Sequence, residues 1–145
     1  MSIYLLDVNV LIALHTPAHG SYQKVQSWFQ AVGRSGFSTC PITQSGFLRV
    51  SAQISAEANV GYREAKIALE QLTGLPGHVF WPITIGYLQA SALLESRIQG
   101  HRQVTDVYLL ALALSNQGRL ATFDSTISLR AMEGAKEQNL ELISA

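Results

Sequence analysis

Cysteine is nearly absent from this chain, which has one, Cys40, in 145 residues. A single thiol cannot form an internal disulfide or the thiolate cluster of a structural zinc site. Long hydrophobic runs are also missing, and none approaches the ~20 residues that cross a bilayer. The first apolar run, residues 3–14, contains Asp7 and Asn9 and has no basic segment before it, unlike a secretory signal. We therefore expect a cytoplasmic protein with no membrane association.

Charge of one sign is not in excess either. Ten basic and ten acidic residues give a formal net charge of zero. A protein that coats duplex DNA through its phosphates is normally more basic, so the charge balance weakens such a role but does not exclude a small active site that acts on RNA. Since 48% of the residues are hydrophobic, the chain is long and apolar enough for one folded domain, residues 1–145.

Aspartate is scarce, and its placement is informative. The chain has only three, Asp7, Asp106 and Asp124, and each lies at the edge of an apolar segment. All other acidic residues are glutamates, which solvated helix faces prefer. Taken alone, Asp106 is more often a helix cap and Asp124 a turn residue. The joint pattern favours a shared acidic pocket.

Apolar runs typical of strands alternate with segments of helical periodicity. The predicted strands are residues 3–6, 36–40, 79–81, 120–122 and 140–143, the last an edge strand. The predicted helices in the first half are residues 8–15, 22–32 with Ser21 as cap and Gly33 as stop, a segment that Thr43 caps, and 62–72 after a loop at 52–60. Those in the second half are residues 85–98 with Thr84 as cap, 105–117 with Gly118 as stop, and 126–132. This order predicts an α/β fold, a three-layer domain with a central, mostly parallel five-stranded sheet flanked by helices.

The predicted sheet brings the acidic positions together. Ligands of open α/β sheets bind beyond the carboxyl ends of the strands. Asp7 and Asp124 follow two strands directly, while Gln44 and Asp106 fall in the predicted first turns of helices, Asp106 after a possible cap, Thr105. Carboxylates gathered in this way repel one another unless a divalent cation lies between them, and oxygen ligands favour magnesium or manganese. Such an ion activates water for attack on a phosphodiester, so the residues predict metal-assisted hydrolysis.

Four segments resemble, in order, the motifs of the PIN domain family. They are residues 5–14 (LLDVNVLIAL), 41–50 (PITQSGFLRV), 104–113 (VTDVYLLALA) and 121–124 (ATFD). Any one segment alone would be weak evidence for the family, but the four together are specific, since they span nearly the whole chain in order and with the family's usual spacing. The size of the chain and the Gly-Phe-Leu-Arg-Val form of the second motif are similar to VapC toxins of bacterial toxin–antitoxin pairs.

The resemblance implies a function and assigns roles. It implies an Mg²⁺-dependent endoribonuclease, with Mn²⁺ as a substitute, that cuts structured RNA and arrests translation. It also implies a cognate VapB-type antitoxin and a homodimer. Asp7, Asp106 and Asp124 would be the metal-site carboxylates, Thr122 a hydroxyl that supports them, and Asn9 a residue that helps to orient Asp7.

One position departs from the family pattern, because Gln44 stands where the second motif commonly has glutamate. An amide offers a carbonyl oxygen but brings no charge and cannot act as a base. We keep Gln44 as a catalytic-site residue and expect weaker magnesium binding than in a four-acid site, with better activity in manganese. Arg49 and Arg102 are candidates for contact with RNA phosphates. Arg49 could equally pair with a carboxylate of the pocket, and Arg102 could simply be solvated.

Two other classes of function stay open. Gln44 is compatible with a PIN-like module that binds RNA or protein at a weakened metal site without cutting. A receiver-type phosphoacceptor domain is also α/β with an acidic pocket, but it needs paired acids after the first strand and a lysine at the pocket. The lysines here, Lys24, Lys66 and Lys136, lie on helices that we expect to be exposed, which disfavours the receiver.

Overall fold

A five-stranded sheet forms the centre of the protein in a computed structural model that describes residues 2–89, 101–123 and 137–143. The strands lie in the order β3-β2-β1-β4-β5, and every neighbouring pair is parallel. The strands are β1 (Tyr4–Leu6), β2 (Phe37–Thr39), β3 (His78–Phe80), β4 (Arg119–Thr122) and β5 (Leu140–Leu142). The predicted α/β fold and the edge position of the last strand are confirmed.

Helices cover both faces of this sheet. They are α1 (Val8–Leu14), α2 (Tyr22–Ala31), α3 (Pro41–Ile54), α4 (Ala58–Thr73) and α5 (His101–Ser115). Successive side chains of a strand point to opposite faces, and β1 shows the consequence. Leu6 packs in a core with α1 to α4, whereas Leu5 packs in a second core with α5. These two cores on either side of the sheet make the three layers.

The helix α5 is central, as its apolar sequence predicts. Leu109, Leu110 and Leu112 are fully buried. Gly118 was predicted to provide the C-terminal stop of this helix, and it takes part in that stop although Gln117 is the residue with positive φ. Gln117 takes the left-handed conformation, with φ of 58°, and the Gly118 N–H donates to the Ala113 carbonyl at 2.8 Å. Gly118 has a different constraint, because a Cβ there would meet the Trp81 ring at 2.4 Å.

Two predicted boundaries in the first half of the chain were wrong. The helix α3 begins at Pro41, not after Thr43, because Cys40 is its N-cap. Thr43 lies inside the first turn, where its hydroxyl accepts the Cys40 N–H at 3.0 Å. The predicted loop at 52–60 was also too long, since α3 and α4 leave only residues 55–57 between them.

Two boundaries in the second half also differ. The described part of α5 is already helical from His101, so Thr105 is not its cap and Asp106 does not lie in its first turn. The helix predicted from residue 85 does not begin there, because Ile85 and Gly86 precede a short 3-10 helix, Tyr87–Gln89. The rest of that prediction, and the helix predicted at 126–132, lie outside the described residues. Within the described ranges, no helix is long and apolar enough to cross a membrane.

Candidate metal centre

The carboxyl ends of β1, β2 and β4 share one edge of the sheet because the three strands are parallel neighbours. Asp7 follows β1 directly, Thr122 ends β4, and Gln44 lies in the first turn of the helix after β2. This is the edge at which open α/β sheets bind ligands. The local order of the chain therefore brings these three polar side chains to the same side of the sheet.

Asp7 is held in one orientation by several hydrogen bonds. It is 6% exposed and caps α1, with Oδ1 accepting the Val8 N–H at 2.7 Å and Oδ2 accepting the Thr122 hydroxyl at 2.9 Å. Its own N–H donates to the Ala121 carbonyl at 3.1 Å. The positive end of the helix dipole favours an anion at this position. A carboxylate oxygen accepts more than one donor, so these bonds orient Asp7 without preventing it from binding a cation.

Thr122 and Asn9 were both predicted to support Asp7, and the structure places them differently. Thr122 is fully buried and donates to Asp7 because Leu6 and Ala121 are in register, which brings the two strand ends together. Asn9 is exposed in the first turn of α1. The role proposed for Asn9 stays a prediction.

The three aspartates are described to different extents. Asp106 is partly exposed on α5, directly before the fully buried Val107, and α5 packs against β1. Asp124 lies outside the described residues. In the ranges that are described, which omit Asp124, no group of three acidic, histidine or cysteine side chains forms a metal cluster. The three-carboxylate set remains a prediction.

Gln44 belongs to a polar chain that sequence reasoning missed. Its Nε2 donates to the Thr39 hydroxyl at 2.9 Å, and that hydroxyl lies 2.8 Å from Nε2 of His78. Thr39 is fully buried, and the His78 ring packs against the Phe37 ring with centroids 5.3 Å apart. Burial lowers the pKa of His78 below its ordinary value, which favours the neutral ring. In the sequence, the only sign of these hydrogen bonds was Thr39 itself, a polar residue at the end of a buried strand.

A second group missed from the sequence surrounds Phe123, which follows Thr122. The Lys24 ammonium lies 5.2 Å from the centroid of the Phe123 ring. The His19 ring stacks on the Phe123 ring, with their centroids 6.5 Å apart. These contacts place a cation of α2 beside the strand end that supports Asp7. Lys24 itself is partly exposed on α2.

Of the two arginines singled out from the sequence, only Arg49 has a described side chain. Arg49 is exposed on α3, one turn beyond Gln44. Arg102 lies in the described part of α5, and its side chain is outside the described part of the structure. Their contact with RNA stays a prediction.

Comparison with known proteins gives a consistent family. The model of the PIN domain family matches residues 4–132. Ribonuclease VapC44 of Mycobacterium tuberculosis is 39% identical over 136 residues, which cover 94% of this chain and 96% of that protein. Ribonuclease VapC39 of the same species is 40% identical over 134 residues, which cover 92% of this chain and 96% of that protein.

Solved structures share the fold. The crystal structure of FitAcB from Neisseria gonorrhoeae is similar with a TM-score of 0.65 and 17% identity, over 97% of this chain and 96% of that chain. The structure of VapBC2 from Rickettsia felis, bound to a DNA fragment from its promoter, has a TM-score of 0.59 and 17% identity over 97% and 96%. At these identities the likeness shows the architecture alone.

Proposed function

Since this chain belongs to the PIN domain family and to its VapC-type members, we propose that it is a metal-dependent endoribonuclease, the toxin of a type II toxin–antitoxin pair. One observation carries the proposal, which is 39% identity to a VapC ribonuclease over nearly the whole of both chains. The buried Asp7 carboxylate, fixed by Thr122, supports it. The receiver-type alternative is abandoned, because the PIN model covers residues 4–132.

The donor chemistry of the site fits magnesium. Asp7, Asp106, Asp124 and the carbonyl of Gln44 would together supply an all-oxygen set, which magnesium prefers and manganese accepts. When bound, the ion supplies an activated water and neutralises charge on the phosphoryl group. Asp7 would hold the ion, Thr122 would keep the Asp7 carboxylate from rotating, and Arg49 and Arg102 would bind RNA phosphates.

Gln44 weakens this site, in our proposal, because an amide adds no negative charge. We expect the native protein to bind magnesium less tightly than the Gln44→Glu variant does and to be more active in manganese. Titration of both proteins with each metal tests this. Equal magnesium affinities would show that the missing charge has no effect.

Partners and location follow from the same proposal. The related structures include a VapBC complex bound to promoter DNA, and we propose that this chain has a VapB-type antitoxin and forms a homodimer. We also propose that residues 1–145 are one PIN domain. Because the proposed toxin arrests translation, we also propose that it acts in the cytoplasm.

A binding module is the second candidate function. Its only support is that Gln44 adds no charge to the site, and the three retained aspartates argue against it. In this alternative the domain binds RNA or protein at the same edge and cuts nothing.

Incubation of the purified protein with total RNA decides between the two. Native protein, Asp7→Asn and Glu70→Gln are compared in magnesium and in manganese. Glu70 is an exposed carboxylate paired with Lys66 on α4, away from the sheet edge, so its change to an amide is the matched control. Discrete cleavage by the native and Glu70→Gln proteins, but not by Asp7→Asn, supports the ribonuclease. Intact RNA with every protein in both metals favours the binding module.

A further inference from the structure

The hydrogen bonds of the polar chain, from Gln44 through Thr39 to His78, all run from donor to acceptor in the same direction. The chain consists of two short contacts, 2.9 Å from Gln44 Nε2 to the Thr39 hydroxyl and 2.8 Å from that hydroxyl to His78 Nε2. Thr39 is fully buried, so water does not complete its hydrogen bonding. The direction follows from the number of protons that each group carries.

The Thr39 hydroxyl has one proton and two lone pairs. An amide nitrogen only donates, so the hydroxyl oxygen accepts from Gln44 and its own proton can be given to His78. His78 Nε2 is then the acceptor, which requires a neutral ring with its proton on Nδ1. If His78 donated instead, the Thr39 hydroxyl proton could be given to neither Gln44 nor His78. A buried donor without an acceptor is costly.

This direction fixes the two ends of the Gln44 amide. With Nε2 held by Thr39, the carbonyl oxygen Oε1 lies on the other side of the amide group. We infer that His78 is a positioning residue, which acts through Thr39 to keep Oε1 of Gln44 as the atom presented to the candidate metal centre. The inference deepens the proposed function, on which the role of Oε1 rests, while the direction of the chain rests on the hydrogen bonds alone.

The chain also accounts for an amide rather than an acid at this position. A glutamate at residue 44 has no N–H to give, so it would draw the Thr39 proton to itself. The bond from Thr39 to His78 would then be lost or reversed. Gln44 and His78 are therefore matched to each other, and Gln44→Glu is expected to disturb the His78 ring as well as the metal site.

The tautomer of His78 is measured by ¹⁵N NMR of the ring nitrogens in the metal-free protein, above the ordinary histidine pKa. We expect the Nδ1–H form, and the Nε2–H form would overturn the inference. Two other histidines are internal standards. His15 Nδ1 lies 2.8 Å from the Leu11 carbonyl, which requires Nδ1–H, and His19 Nδ1 accepts the Ser21 N–H at 3.0 Å, which requires Nε2–H.

A double-mutant cycle tests the positioning. His78→Phe keeps a ring against Phe37 but removes the acceptor, and it is compared in the native and Gln44→Ala backgrounds by Mn²⁺ titration, with unfolding measured alongside. We expect about a 2- to 10-fold loss of Mn²⁺ affinity in the native background and little change in Gln44→Ala. An equal loss in both backgrounds, or none in either, would overturn the positioning role.

Failure of this inference is distinguishable from failure of the proposed function. The NMR measurement uses no metal and no RNA. If the RNA stays intact while NMR shows the Nδ1–H form of His78, the proposed ribonuclease is contradicted and the direction of the hydrogen bonds is supported. If the RNA is cleaved while NMR shows the Nε2–H form of His78, the inference is contradicted and the proposed ribonuclease is supported.

Discussion

Two buried threonines flank β1 at the carboxyl edge of the sheet, and their hydroxyls are used in opposite ways. Thr122 ends β4 and donates to the Asp7 carboxylate, whereas Thr39 ends β2 and accepts from the Gln44 amide. Both are fully buried. The difference follows from the atom that faces each hydroxyl, since a carboxylate oxygen carries no proton and accepts, whereas an amide nitrogen carries protons and donates.

The two sides of β1 should also differ in energy. A hydrogen bond to a charged group contributes about 1.5–3 kcal/mol, and a neutral one about 0.5–1.5 kcal/mol. The Asp7 side uses a charged acceptor, and the Gln44 side uses neutral groups throughout when His78 is neutral. Substitutions on the Asp7 side are therefore expected to have the larger effects.

The largest effect is expected from Asp7→Asn. Asparagine caps a helix about as well as aspartate, so α1 should persist while the charge for the metal is lost. We expect RNA cleavage to fall by at least about 100-fold, since even the partners of metal ligands are worth about 10- to 100-fold. The rate of cleavage and the far-ultraviolet circular dichroism are measured, with Glu70→Gln as control. A rate within about 3-fold of native would remove Asp7 from the site.

Thr122→Val should have the next largest effect. Valine keeps the shape of the side chain but removes the donor to Asp7. We expect metal affinity to fall by about 10- to 100-fold, as for loss of other partners of metal ligands, and stability to fall by about 1.5–3 kcal/mol. Metal titration and urea unfolding measure the two changes. Native affinity would show that Asp7 is held well enough by Val8 and the helix.

Thr39→Val is the matched change on the other side of β1. It removes both contacts of the polar chain at a site equally buried. We expect a smaller loss of metal affinity, about 2- to 10-fold, because the amide adds no charge to the centre. The same titration measures it. A loss as large as that of Thr122→Val would reverse the comparison.

The sequence predicts the Asp7 side far better than the Gln44 side. Asp7 follows an apolar run directly, so its place at a strand end is visible locally, and the family motifs add Thr122. The contact of Thr39 with His78 depends on the register of β2 and β3, which pairs Phe37 with His78. No local pattern encodes that register, because the two strands are separated by α3 and α4.

Helix boundaries show the same limit. Thr105 has the chemistry of a cap, but the four residues before it, 101–104, are already helical in α5. A cap contributes only about 0.5–2 kcal/mol, and nothing between these positions breaks a helix. Likewise the small residues at 52–60 looked like a loop, yet α3 and α4 pack against each other and extend into that segment. Packing between elements decides such ends.

The smallest expected effect on the Gln44 side is the share of His78 in a loss of stability in mild acid. Burial lowers the pKa of His78, and that of His15, below the ordinary value of 6.5. The unfolded chain then binds more protons than the folded one as the pH falls below that value, so the stability these groups contribute is present above it and is lost as the pH falls through the folded pKa. Urea unfolding midpoints should be lower near pH 5.5 than near pH 7.5. His78→Phe should narrow this difference, and a variant with the full native difference would show that His78 is not the group that titrates.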